Sequence, residues 1–250
     1  MKKGNHYVLV FVALMASLFV LVTSISQSAE SLQENKGQRE QAAPAGVEIS
    51  TEELKQILLE GKFPVIDVRP KEEYAVSHIP GSVNIFETEI EQMMKLCPDK
   101  SSGLVLYCNG PHCHKTGRVA EMLSKKDYTN IKKYRDGLPV WLAFGNAAET
   151  SLSGFKYVCS SDSTAVLVDA RSKEEYGTGT IKSAVNLQAG DIEAANKDGR
   201  LPYTDHGTRI IVFGNSVAQA RLLAEAIAQR AYWNSSYVTE TYENLKKSGL

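Results

Sequence analysis

The chain has 250 residues, of which 43% are hydrophobic, 18 are Gly and 8 are Pro, a composition that supports a substantial core and excludes a largely disordered or collagen-like chain. Its 28 Lys and Arg nearly balance 29 Asp and Glu, so charge gives no reason to expect nucleic acid as a partner. Four cysteines, Cys97, Cys108, Cys113 and Cys159, are too few for a disulfide scaffold, and each needs its own reading.

Lys2 and Lys3 precede an uncharged run from Tyr7 to Val22, and small polar residues follow up to Ala29. This layout predicts a secretory signal over residues 1–29 and an exported, periplasmic protein. The alternative is an uncleaved anchor, because Tyr7 to Ile25 is 19 residues, just enough to cross a bilayer; only then is a membrane a partner. Residues 30–46 are polar, lack aromatics and contain Pro44 and Gly46. Such a segment buries too little apolar surface to offset its ordering entropy and predicts a flexible linker.

From Val47 onward the chain repeats itself. Ile66-Asp67-Val68-Arg69, with Glu72-Glu73-Tyr74 behind it, returns as Val168-Asp169-Ala170-Arg171 with Glu174-Glu175-Tyr176, and Asp67 and Asp169 are 102 residues apart. The register holds through Ile79/Ile181, Val83/Val185 and Asn84/Asn186. That period is too long for a solenoid unit and predicts two tandem domains, 47–150 and 151–250.

In the first unit, Thr51 to Leu59 reads as a helix with Ser50 or Thr51 as its cap and Glu52-Glu53 in its first turn. Phe63 to Val68 and Leu104 to Tyr107 read as fully buried strands, and Lys115 to Ser124 as a helix. The second unit shows little counterpart to the helix between strands, judged from Ser160 to Ala165. Alternating strands and helices predict an α/β fold with a parallel sheet covered on both faces, and ligands of such folds bind beyond the carboxyl ends of the strands.

Cys108 stands at such an end, followed by a Gly-containing loop and a helix start. Loop N–H groups and the positive helix end favour an anion, which lowers a thiol pKa and stabilises an anionic sulfur ligand. Lys115, His112 and His114 add positive or hydrogen-bonding character. The alternative is a buried strand-end cysteine with no chemistry.

The segments Ile66 to Arg69, Glu72 to Tyr74 and His78-Ile79-Pro80-Gly81-Ser82-Val83-Asn84-Ile85, followed by a strand ending in Cys108, resemble the rhodanese (sulfurtransferase) family. The resemblance covers 47–150, with 151–250 as a degenerate second copy. It implies two tandem rhodanese-like domains, each a parallel five-stranded sheet flanked by helices. It also implies an enzyme without cofactor or metal, which moves a sulfane sulfur from thiosulfate, polysulfide or a persulfide to a thiol or other thiophilic acceptor. Cys108 is then the persulfide-forming nucleophile. Asn109, Gly110, Pro111, His112, Cys113, His114, Lys115 and Thr116 form the substrate-binding loop. Asp67 and Arg69 either support that loop from beside it or are an ordinary helix cap and surface ion pair.

The loop departs from the family's usual one, being two residues longer, with Lys115 in place of an Arg. Lys lacks the planar fork that suits an oxyanion, which argues against the phosphate chemistry of relatives with enlarged loops. Cys113 opens an alternative function, a binding or redox-sensing module using a reversible Cys108–Cys113 disulfide, and it also offers a thiol to resolve a persulfide. A metal site from these two cysteines with His112 or His114 has unconvincing spacing. Cys97 and Cys159 show no visible chemistry, and sequence does not decide whether they pair. In the second copy Gly214 falls at the Cys108 position, Thr180 at that of His78, and the loop is shorter, so that domain is expected to be inactive and to serve structure or acceptor docking.

Overall fold

The computed structural model describes residues 45–250; the expected signal or anchor and nearly all of the expected linker lie outside the described residues. The first sheet comprises β1 (Val47–Glu48), β2 (Val65–Asp67), β3 (Val83–Asn84), β4 (Leu104–Tyr107) and β5 (Ile131–Tyr134), interleaved with α1 (Thr51–Glu60), α2 (Lys71–Val76), α3 (Ile90–Leu96) and α4 (Lys115–Ser124), and followed by α5 (Gly137–Ala143). The second comprises β6 (Ala148–Thr150), β7 (Val166–Asp169), β8 (Val185–Asn186), β9 (Ile210–Gly214) and β10 (Ser235–Thr241), with α6 (Leu152–Ser161), α7 (Lys173–Gly177), α8 (Ile192–Asp198), α9 (Val217–Ala228) and α10 (Tyr242–Lys247). Both sheets are wholly parallel, ordered β1-β5-β4-β2-β3 and β6-β10-β9-β7-β8.

Period-two alternation explains why the central strands are apolar throughout. On β4, Leu104 and Leu106, continued by Cys108, pack with Met93, Val119 and Leu123, while Val105 and Tyr107 pack on the opposite face with Leu54, Ile57 and Trp141. A strand covered on both faces has no polar side, and each fully buried side chain of this size contributes about 1.5–3 kcal/mol. The second sheet repeats the plan, with Ile210 and Val212 facing Leu223 and Ile192, and Ile211 and Phe213 facing Phe155 and Leu245.

Helix starts follow the local chemistry. Ser50 caps α1, its Oγ accepting from the Glu53 N–H at 3.1 Å, and Ser151 caps α6 in the same way from Gly154. Helix α6 is therefore the second unit's counterpart of α1. All but its last two residues lie ahead of the stretch from Ser160 to Ala165, in which the sequence shows little helix. The strand β6 is likewise part of the second sheet, although the sequence reading assigned residues up to 150 to the first unit; it begins 101 residues after β1 and repeats it.

The two sheets are tied by an antiparallel bridge, the His78 N–H donating to the Glu149 carbonyl at 3.0 Å and the Glu149 N–H to the His78 carbonyl at 2.8 Å. Side chains reinforce it. His78 Nε2 lies 3.2 Å from Glu149 Oε2, and the Tyr237 hydroxyl donates to Glu149 Oε1 at 2.8 Å. Burial alone would raise the Glu149 carboxyl, but its bonds with His78 and Tyr237 hold it below the ordinary value. Cys97, buried, and Cys159, exposed, are both free thiols and do not pair. Among the described residues no helix is long and apolar enough to cross a membrane.

Candidate active site

The parallel register brings the carboxyl ends of β2 and β4 together, with Asp67 beside Tyr107, so Asp67, Arg69 and Cys108 share one end of the sheet. Cys108 is 1% exposed. Its backbone is held from β5's side, the Leu138 N–H donating to the Cys108 carbonyl at 3.2 Å. That approach depends on Gly137. With φ of 63°, a Cβ there would meet the Cys108 carbonyl oxygen at 2.2 Å and the Gly110 nitrogen at 2.5 Å, which no side chain tolerates.

From Cys108 the loop folds back on itself. Gly110 has φ of 106°, and its carbonyl accepts from the Cys113 N–H at 2.9 Å. This turn sets the Cα atoms of Cys108 and Cys113 6.5 Å apart and joins their sulfurs as a disulfide. Cys113 is half-buried, whereas His112 and His114 are exposed. The pairing engages both sulfurs of the metal set considered from sequence. His114 ends the loop at the N-cap of α4 without capping through its side chain, and Thr116 is buried in the first turn.

Asp67 and Arg69 are neither a helix cap nor a surface pair. They are 0% and 3% exposed, and three side-chain bonds join them, Arg69 Nη2 to Asp67 Oδ2 at 2.6 Å and Nε to both carboxylate oxygens at 3.0 Å. Burial works against the charge on Arg69, yet Asp67 raises the guanidinium above its ordinary pKa. Arg69 also donates from Nη2 to the Ser77 carbonyl at 2.7 Å and from Nη1 to Asn109 Oδ1 at 3.2 Å. Asn109 in turn donates to Glu73 Oε2 at 2.6 Å. The buried pair thus grips the first residue of the loop.

Lys115 differs from expectation. Its Nζ donates to Glu87 Oε1 at 2.6 Å, and Arg118 holds Glu87 Oε2 at 2.6 Å, so the loop's cation is neutralised rather than offered to an anion. Burial would raise the Glu87 carboxyl, but the two cations bring it below its ordinary value. Arg135 completes the rim, donating to the Pro111 carbonyl at 2.9 Å. Sequence reasoning passed over Glu87, Gly137 and Arg135. A signal for two of them was present, since neither Glu87 nor Gly137 has a like residue in the second copy, where Ala189 and the Thr239-Glu240-Thr241 stretch stand.

The rhodanese-like domain profile matches twice, over residues 50–144 and 159–248. The chain belongs to the rhodanese-like family. It is 33% identical over 86 residues to an HTH-type transcriptional regulator of Mycobacterium tuberculosis, a match covering 34% of this chain and 37% of the regulator. It is 35% identical over 68 residues to the thiosulfate sulfurtransferase PspE of Escherichia coli, covering 27% of this chain and 64% of that protein. With the thiosulfate:glutathione sulfurtransferase of Homo sapiens it shares 29% identity over 108 residues, covering 38% of this chain and 91% of the human protein. The chain therefore spans less than two thirds of the length of the first two relatives. As a rhodanese-like protein it carries two tandem domains of the family, each built on its own five-stranded parallel sheet.

Proposed function

We propose that this protein is a sulfurtransferase in which the Cys108 thiolate, once reduced, takes a sulfane sulfur from a small anionic donor and delivers it to a thiol acceptor. The observation that carries this reading is the placement of Cys108 at the carboxyl end of β4, in a glycine-turned loop that feeds the ten-residue helix α4. With thiosulfate as donor, Cys108 Sγ attacks the outer sulfur, the S–S bond breaks and sulfite leaves with the bonding pair. Cys108 is left carrying an anionic persulfide. A thiolate attacks sulfur well near neutral pH, and the unpaired N–H groups of the first turn of α4 stabilise the persulfide anion. The relatives named as sulfurtransferases in Escherichia coli and Homo sapiens support the same reading. The apolar run after Lys2 and Lys3 supports work outside the cytoplasm.

The test is sulfite release from thiosulfate by the pre-reduced protein. Cys108→Ser is expected to lower it by about 10³-fold or more, and the wild-type Cys108 peptide should gain about 32 Da, one sulfur atom. Undiminished release by Cys108→Ser would remove the assignment. A second reading, a redox-responsive module without transfer, is favoured by the Cys108–Cys113 pairing; it expects the disulfide alone and no sulfur adduct.

A further inference from the structure

The position of Cys113 goes beyond an accessory residue of the loop. We propose that Cys113 is the resolving cysteine of this site. Its thiolate attacks Cys108 Sγ of the persulfide, the bond from Cys108 to the sulfane sulfur breaks, and that sulfur leaves as hydrosulfide, taking up the Cys113 proton. The sulfane sulfur departs reduced, and the two cysteines remain oxidised as the Cys108–Cys113 disulfide. The inference rests on the sulfurtransferase reading and names the thiol that reduces the persulfide within it. Thiol reductant, as one dithiol or two monothiols, then returns the pair to thiols through a mixed disulfide, so the reaction that follows must supply two reducing equivalents.

Three features of the loop support this. The Gly110 turn and the bond from the Cys113 N–H to the Gly110 carbonyl fix Cys113 where its sulfur meets that of Cys108, which gives an internal thiol a large advantage in effective concentration over a dissolved one. In the disulfide Cys108 is 1% exposed and Cys113 half-buried, so Cys113 is the more open of the two to an external reductant. A reductant attacking Cys113 expels the Cys108 thiolate into the loop that feeds the N-terminus of α4, where an anion is favoured. The second copy has neither thiol. Gly214 replaces Cys108, and Ser216 leads directly into α9.

The test reads sulfite, hydrosulfide and peptide mass from one sample. Fully reduced, desalted protein is mixed with excess thiosulfate in the absence of any added thiol. The wild type is expected to release one sulfite and one hydrosulfide per chain and to finish with the Cys108–Cys113 disulfide, about 2 Da lighter than the dithiol. Cys113→Ser should still release sulfite as the adduct forms, retain the sulfur adduct on Cys108 and release hydrosulfide, per adduct formed, at least about 10-fold more slowly until dithiothreitol is added. This sulfite release also shows that the variant is folded; Cys113→Ala serves as a second variant. A wild type that keeps its adduct and releases no hydrosulfide overturns the resolving role while leaving the sulfurtransferase reading intact. A wild type that gives neither sulfite nor adduct overturns both.

Discussion

The carboxyl ends of β4 and β9 are the same place in two copies of one fold, yet one carries a disulfide-closed loop braced at its rim and the other is filled by a side chain. In the first copy the loop after Cys108 is braced from outside, by Arg69 on Asn109 and Arg135 on the Pro111 carbonyl. In the second copy the Gln219 side chain occupies the corresponding space. Its Oε1 accepts from the Asn215 N–H at 2.8 Å, its Nε2 donates to the Ala170 carbonyl at 2.9 Å, and a Cβ on Gly214 would meet that Oε1 at 2.6 Å. Gln219 Oε1 thus supplies internally an acceptor of the kind a bound anion would offer the loop N–H. The shared scaffold is unchanged across the two. Asp169 and Arg171 repeat the buried pair, with Arg171 Nη2 on the Gly179 carbonyl as Arg69 Nη2 is on that of Ser77.

The comparison assigns the buried pairs to the fold and only the link through Asn109 to the site. Removing one partner strands a buried charge, which costs about 3–5 kcal/mol. Asp67→Ala and Asp169→Ala are therefore expected to lower unfolding free energy in urea by similar amounts. Only Asp67→Ala should also lower sulfite release per folded molecule, because Arg69 then loses its hold on Asn109. Equal losses of activity in both variants would break the division between scaffold and site.

Gly137 sharpens the contrast further, since the second copy has no glycine in its Thr239-Glu240-Thr241 stretch and no catalytic loop to accommodate. Gly137→Ala must push the Cys108 carbonyl and Gly110 aside. A displacement of about 1 Å at a reacting centre costs on the order of 10²-fold in rate. We expect that loss in sulfite release, with the variant still folded by circular dichroism. A variant as active as the wild type would show that the close approach of Gly137 does not position the nucleophile.

Much of this was legible in the sequence because it is periodic. The 102-residue spacing from Asp67 to Asp169 predicted two copies, the apolar run at Leu104 to Tyr107 predicted β4, and Val119, Met122 and Leu123 at helical spacing predicted α4. Edge elements were harder. The strand β6 is three residues long, too short for a pattern, and only the last two residues of α6 fall within the stretch from Ser160 to Ala165. Burial of Asp67 and Arg69 was not legible either, since a short Asp-x-Arg spacing fits an exposed pair as well as an enclosed one. The neutralisation of Lys115 depends on Glu87, which is remote in sequence and meets it only after β3 and β4 pack around β2.

That ion cluster gives the smallest expected effect and the clearest sign. Glu87 holds both Lys115 and Arg118, and Ala189 stands at the equivalent point of the second copy. Glu87→Gln removes a carboxylate beside the loop and frees two cations, so an anionic donor should bind several-fold more tightly, lowering KM for thiosulfate with little change in kcat. The gain should shrink as salt is raised, because freed surface cations are screened over about 10 Å at 0.1 M ionic strength. The pH dependence follows from the depressed Glu87 pKa. A carboxylate held below its ordinary value contributes stability above about pH 4.3, and that contribution is lost as pH falls through the folded-state value. Glu87→Gln should therefore flatten the acid limb of the stability profile while lowering KM at neutral pH. An unchanged KM at low salt would mean that the loop's backbone N–H groups alone, without Lys115 or Arg118, set the affinity for the donor.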